Sequence, residues 1–224
     1  MKTQFLIRNG SRGLLVFFNG WSRDGADAAG LKSGCDVLEV HDYSDLESGS
    51  LFGFMAQYDE LHLAAWSLGV WAAAAVFEHS SFHFDTALAL NGTLHPVHPD
   101  CGIAPEIFDG TVANWLLPAA RERFLRRMAG SAEAAQRLPI PERSPEDQQT
   151  ELAAIRGFSS ERAVPANPYT RAVSGRRDRI IPFAAQENFW RTRPETAFAA
   201  VDLPHYPFDG LSCWEEVFRL GKNA

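Results

Sequence analysis

A serine, an aspartate and a histidine stand along this 224-residue chain in an order that suits acyl transfer. Ser67 lies in Ala65-Trp66-Ser67-Leu68-Gly69, where an apolar strand-like run turns directly into an apolar helix-like run. A tight strand-to-helix turn of this kind lifts a serine hydroxyl clear of the backbone. Small residues two before and two after it let neighbouring chains come close. Gly69 meets that need, whereas Ala65 stands where a glycine is usual and adds one methyl. Downstream, Asp178 sits in Gly-Arg-Arg-Asp-Arg-Ile-Ile-Pro and His205 in Leu-Pro-His-Tyr-Pro-Phe, each in a loop after a short strand-like run. His205 would take the proton of Ser67 and return it to the leaving group. Asp178 would fix the imidazole tautomer and stabilise its cation. Asp202 and Asp209 lie nearer to His205 in sequence, but the order serine, acid, histidine calls for an acid on the preceding loop. Taken singly, His205 reads equally as a surface loop histidine. Asp178 alone reads equally as a solvated partner of Arg176, Arg177 and Arg179.

An oxyanion needs donors, and a second motif offers one. Phe17-Phe18-Asn19-Gly20-Trp21 ends a β-rich run on a glycine. In such sites the residue after the nucleophile supplies one backbone N–H and a loop after an early strand supplies the other. The candidates are therefore Leu68 and Trp21. Read alone, Asn19-Gly20 is simply a turn. A rival cluster, His95, His98 and Cys101 with Asp100, has no second closely spaced pair, so no metal site is expected. Arg123, Arg126 and Arg127 share one face of a helix-like stretch, which reads either as a solvated face or as a basic stripe for an acidic partner.

The elements that must hold these residues follow from hydrophobic periodicity. Residues 3–8 and 14–18 are β-rich and separated by Asn9 to Gly13, which suits a hairpin turn. Runs 35–41, 60–66, 86–90, 171–174 and 196–201 read as further strands, and 68–78, 183–191 and 212–220 as helices. Strands alternating with helices predict a mostly parallel sheet covered on both faces and begun by an antiparallel hairpin. Residues 95–168 break the rhythm: they hold helix-like stretches at 118–130 and 145–157 and no convincing strand. The expectation is a single domain, with a core from 1–94 and 169–224 and a helical lid from 95–168 over the strand ends.

Composition narrows the class. Hydrophobic residues make up 46% and charged residues 22%, an ordinary globular balance. A net charge of −7 argues against general affinity for nucleic acid or an anionic membrane. No apolar run reaches the roughly 18 residues of a membrane span, and the N-terminal residues lack a signal-peptide pattern. Three widely spaced cysteines imply no disulfide framework. A cytoplasmic protein that binds no membrane is expected, and a monomer.

These motifs together resemble one family. FFNGW, AWSLGVWAA, ALNGTLHPV, GIAPEIFDGTV leading into FLRRM, GRRDRIIP and LPHYPF spread the likeness over nearly the whole chain. It is similar to the pimeloyl-acyl carrier protein methyl ester esterases of the BioG type, from bacterial biotin synthesis. The resemblance implies an α/β-hydrolase fold and hydrolysis of the methyl ester on a pimeloyl chain carried by acyl carrier protein. It implies Ser67, Asp178 and His205 as triad, Trp21 and Leu68 as oxyanion donors, and Arg123, Arg126 and Arg127 as candidates for the carrier. No cofactor is implied. Trp21, Trp66 and Trp71 either line a slot for the acyl chain or pack the core. Two alternatives share these residues: a general short-acyl carboxylesterase or thioesterase, and a non-catalytic binding module in which Ser67 does not face His205.

Overall fold

A computed structural model describes residues 1–222. Seven strands form one sheet: β1 (Lys2–Ile7), β2 (Gly13–Phe18), β3 (Asp36–His41), β4 (Glu60–Trp66), β5 (Thr86–Leu90), β6 (Arg171–Gly175) and β7 (Ala197–Val201). Their order across the sheet is β1-β3-β2-β4-β5-β6-β7. Every pairing is parallel except β1 with β3. Around the sheet lie α1 (Gly49–Met55), α2 (Leu68–Phe77), α7 (Phe183–Trp190) and α8 (Trp214–Arg219). Between β5 and β6 comes an inserted segment of four helices, α3 (Pro105–Asn114), α4 (Pro118–Ala129), α5 (Ala132–Ala135) and α6 (Pro145–Glu161).

One expectation is corrected here. The sheet does contain an antiparallel pair, but β1 and β2 form no hairpin; β1 pairs with β3 instead. Two physical reasons account for it. All six residues of β2 are buried, so it needs a parallel neighbour on each side and occupies the centre, whereas β1 alternates exposed and half-buried residues as an edge strand does. The turn itself is tied to β3. The N–H groups of Asn9, Gly10 and Ser11 all donate to Asp36 Oδ1, at 2.8, 3.1 and 3.2 Å. Turn residues alone cannot reveal that anchor.

The hydrophobic core supports the site from below. Leu14 to Phe18 and Leu63 to Trp66 are almost wholly buried, and α2 packs its apolar residues against them. α2 carries apolar residues all round, as expected of a helix covered on every side. Among the described residues no helix is long and apolar enough to cross a membrane.

Candidate active site

Ser67, Asp178 and His205 all lie in loops at the carboxyl ends of the parallel strands, which is where open α/β sheets place their ligand crevices. Ser67 follows β4 and begins α2 with φ 59° and ψ −129°, a conformation disfavoured for a side chain larger than glycine. Such a backbone costs on the order of 1–3 kcal/mol and survives only where the surroundings impose it. Here they do: Ser67 N–H donates to Leu90 O at 2.9 Å, and the turn is squeezed against its neighbours. A Cβ on Gly69 would lie 2.4 Å from Asn19 O and 2.6 Å from Phe18 O. One on Gly92 would lie 2.4 Å from Ser67 O. Ala65 is fully buried between Phe18 and Ala89, its paired residues on the adjacent strands, so its extra methyl is accommodated. Gly69→Ala is therefore expected to cost about 1–3 kcal/mol of stability by overpacking. Esterase activity should fall with it, because the displaced atoms belong to the loop bearing Trp21. Thermal unfolding and ester turnover measured together check this, and Ala65→Gly should leave both nearly unchanged.

Ser67, His205 and Asp178 are brought together. Ser67 Oγ is 2.8 Å from His205 Nε2, and His205 Nδ1 is 2.7 Å from Asp178 Oδ2. All three are buried, with His205 only 1% exposed. Asp178 is held on every side. Its Oδ1 accepts the N–H groups of Ile180 and Ile181 at 2.8 and 3.0 Å, and its Oδ2 also accepts Gln186 Nε2 at 2.8 Å. Gln186 is fixed in turn by Ser174 Oγ, which donates to its Oε1 at 2.6 Å. The reading of Asp178 as a solvated partner of arginines does not fit this burial. Arg177 instead pairs with Asp202 at 2.7 Å, and Asp209 pairs with Arg137 at 2.9 Å, so both competing acids are engaged elsewhere.

His205 is positioned through its backbone. Its carbonyl accepts Trp66 Nε1 at 2.8 Å and Asn91 Nδ2 at 2.8 Å. Asn91, after β5, also donates to Pro204 O at 3.0 Å and accepts Gly175 N–H at 2.6 Å, so one amide ties together the ends of β5, β6 and β7. Tyr206 N–H donates to Met128 O at 2.9 Å, linking the histidine loop to α4. Burial, with Asp27 nearby, pushes the Tyr206 phenol above its ordinary range, so it stays protonated and is no rival base. Sequence reasoning missed Trp66, Asn91 and Gln186 as supports. Asn91-Gly92 was legible only as a strand end, and nothing in the local pattern marks Gln186.

A narrow cleft opens over Ser67 and His205. Gly20, Trp21 and Leu68 form one side, and the remaining wall is largely apolar, including Phe108, Phe124 and Met128 from the inserted segment. The backbone N–H groups of Trp21 and Leu68 have no protein acceptor among the described residues. Trp21 and Trp66 line the cleft, while Trp71 is buried in the core. Beside it lies a second, wider groove lined by Arg123, Arg126 and Arg127, and Arg127 borders both. Arg126 pairs with Glu122 one turn earlier on α4. His98 spends its Nδ1 accepting the N–H groups of Asp100 and Cys101 at 3.0 and 3.1 Å, which closes the local turn. Burial and the neighbouring His98 lower the His95 imidazole below its ordinary range.

Comparison with known proteins now decides the family. A family model described as pimeloyl-ACP methyl esterase BioG matches residues 1–217. The chain belongs to the BioG family. It is 30% identical over 222 residues to a Haemophilus influenzae protein described as uncharacterized, covering 97% of this chain and 99% of that one. It is 36% identical over 180 residues to a malonyl-[acyl-carrier protein] O-methyltransferase of Bacteroides fragilis, covering 79% of this chain. It spans only 36% of that protein's own length. The crystal structure of BioG from Haemophilus influenzae superposes with a TM-score of 0.86 at 28% identity, covering 96% of this chain and 99% of that one. An enol-lactonase from Burkholderia xenovorans superposes with a TM-score of 0.69 at 13% identity over 99% of this chain and 94% of its own. That likeness shows the α/β-hydrolase fold alone. The chain thus has the α/β-hydrolase fold and belongs to a family described as esterases.

Proposed function

We propose that this BioG-family chain is a serine carboxylesterase that hydrolyses the methyl ester of a pimeloyl chain carried on acyl carrier protein, releasing methanol and the free ω-carboxylate. The observation that carries the reading is the chain of hydrogen bonds from Ser67 through His205 to Asp178, at 2.8 and 2.7 Å, beneath an apolar cleft. Ser67 Oγ attacks the ester carbonyl carbon while its proton passes to His205 Nε2. The carbonyl oxygen, now negative, is held by the N–H groups of Trp21 and Leu68. The intermediate collapses, and the departing methoxide takes the proton from His205 and leaves as methanol. Water then gives a proton to the same imidazole and attacks the acyl-serine. Collapse of the second intermediate returns that proton to Ser67 and frees the carboxylate. The apolar wall suits the methylene chain, which gains about 0.8 kcal/mol for each CH₂ buried.

Residues 95–168 act as a lid over the cleft in this reading, and the basic groove beside it receives the acidic carrier. Arg123 and Arg126 are exposed and stand on the rim of that groove. Rim charges act mainly on encounter rate and its salt dependence. Arg123→Glu with Arg126→Glu is therefore expected to lower kcat/KM on the carrier-bound ester about tenfold at low salt. The salt dependence should flatten as well. Turnover of a p-nitrophenyl ester should stay within about twofold.

The decisive experiment is methanol release from pimeloyl-acyl carrier protein methyl ester. Release supports the assignment. Hydrolysis of simple esters without it leaves a general carboxylesterase. Inactivity on both, with no labelling by a fluorophosphonate, leaves a binding module, a reading that the close approach of Ser67 to His205 already disfavours.

A further inference from the structure

Three consecutive N–H groups run past the cleft, and the structure treats them differently. Gly20 N–H donates to Asn19 Oδ1 at 2.8 Å. Ser22 N–H donates to Glu151 Oε2 at 3.3 Å. Between them, Trp21 N–H has no protein acceptor among the described residues, and Trp21 borders the cleft. The flanking groups are thus satisfied and the middle one is left over. Ser22 has φ 69°, a left-handed conformation uncommon for a residue other than glycine, so this stretch needs outside support.

That support comes from one turn of α6, in the inserted segment rather than the sheet. Trp21 Nε1 donates to Gln148 O at 2.6 Å, and Gln148 Nε2 donates to Ser22 O at 3.2 Å. Glu151 is fully buried and accepts three donors: Ser22 N–H, Tyr43 N–H at 2.9 Å and Arg143 Nη1 at 2.5 Å. Arg143 in turn stands 3.2 Å from Asp42. A buried ion pair contributes little net stability beside well-packed apolar residues of the same volume, so stability alone does not account for a carboxylate here. Its place next to Ser22 does.

We infer that Glu151 is a positioning residue for the oxyanion hole: by holding Ser22 N–H from the inserted segment, it turns Trp21 N–H into the cleft. The inserted segment then does more than cover the substrate, because α6 forms part of the frame of the catalytic loop. This inference rests on the reading of Ser67 as nucleophile with Trp21 as an oxyanion donor. It does not depend on which ester is the natural substrate.

The test replaces the ion pair without stranding a charge. In Glu151→Gln with Arg143→Met, one amide oxygen remains to accept either Ser22 N–H or Tyr43 N–H, which bond different carboxylate oxygens in the native protein; in Glu151→Leu with Arg143→Met, none does. Both are assayed on a p-nitrophenyl ester, and for affinity to an alkyl boronic acid, whose tetrahedral adduct places an oxygen in the oxyanion hole. The Leu variant is expected to lose about tenfold or more in kcat, with KM within about twofold and boronate affinity reduced in step with kcat. The Gln variant, whose one oxygen serves either Ser22 N–H or Tyr43 N–H, should fall between the native protein and the Leu variant. Native-like kcat in the Leu variant, a loss confined to KM, or unchanged boronate affinity would overturn the inference. Should the Leu variant fail to fold, Glu151→Asp keeps the charge on Arg143 and withdraws the carboxylate by one methylene. A fall in kcat with KM held then supports the same role, and unchanged kcat sinks it. Ser67→Ala serves as a separate arm. If p-nitrophenyl turnover survives it, the serine reading itself has failed, and the inference with it. If turnover is lost but the carrier-bound methyl ester is not a substrate, only the substrate assignment has failed.

Discussion

Replacing Ser67 by alanine is expected to lower ester hydrolysis by a factor on the order of 10⁴ to 10⁶ while leaving the fold intact. The side chain is small and among the described residues its only hydrogen bond is to His205, so nothing structural there depends on it. Alanine at φ 59° bears the same backbone strain that serine already bears. The residual rate should reflect binding and the two N–H donors alone. Methanol release, measured beside the unfolding temperature, checks both halves. A variant that unfolds normally and still turns over more than about a tenth of the native rate would remove Ser67 from the mechanism. A variant that melts far below the native protein would show that Ser67 also supports the fold, against the single Oγ hydrogen bond found among the described residues.

Asp178→Asn is expected to cost about 10⁴ in kcat, through the proton on His205 rather than through packing. The two ends of the carboxylate face different groups. Oδ1 meets the N–H donors of Ile180 and Ile181, so an asparagine must keep its oxygen there. Its NH₂ then falls at the Oδ2 position, facing Gln186 Nε2 and His205 Nδ1. His205 must answer as an acceptor at Nδ1, which moves its proton to Nε2 and leaves no lone pair there to receive the proton of Ser67. The geometry survives and the base is lost. A fluorophosphonate, which also needs an activated serine, should label the variant far more slowly, and the new donor–donor contact with Gln186 Nε2 should lower the unfolding temperature modestly. Labelling at the native rate would show that Asp178 does not set the tautomer.

Local pattern made much of this protein legible. The strands that carry Ser67, Asp178 and His205 announced themselves as short apolar runs, and the serine turn as the junction of a strand with an apolar helix. The order serine, acid, histidine needed no coordinates, and neither did the helical nature of the inserted segment. Those features depend on periodicities of two and 3.6 residues and on turn chemistry, which neighbours in sequence decide. Pairing between strands was less accessible. β1 chooses β3 because a fully buried β2 must sit between two parallel partners, and because Asp36 captures the turn from across the sheet. A turn-rich run between two β-rich runs reads as a hairpin whichever partner the first strand takes.

The sequence by itself determined which residues were candidates for esterase chemistry, their order along the chain and the class of fold that could carry them. Only the tertiary structure decided how those residues are held. Asn91 joins three strand ends around His205, Gln186 locks Asp178, and Gln148 and Glu151 reach from α6 to residues 21 and 22. The physical reason is separation along the chain. A buried polar side chain must find a partner, but that partner lies more than a hundred residues away in the contacts of Glu151 with Ser22 and of Asn91 with His205. No local pattern records which distant group will answer it.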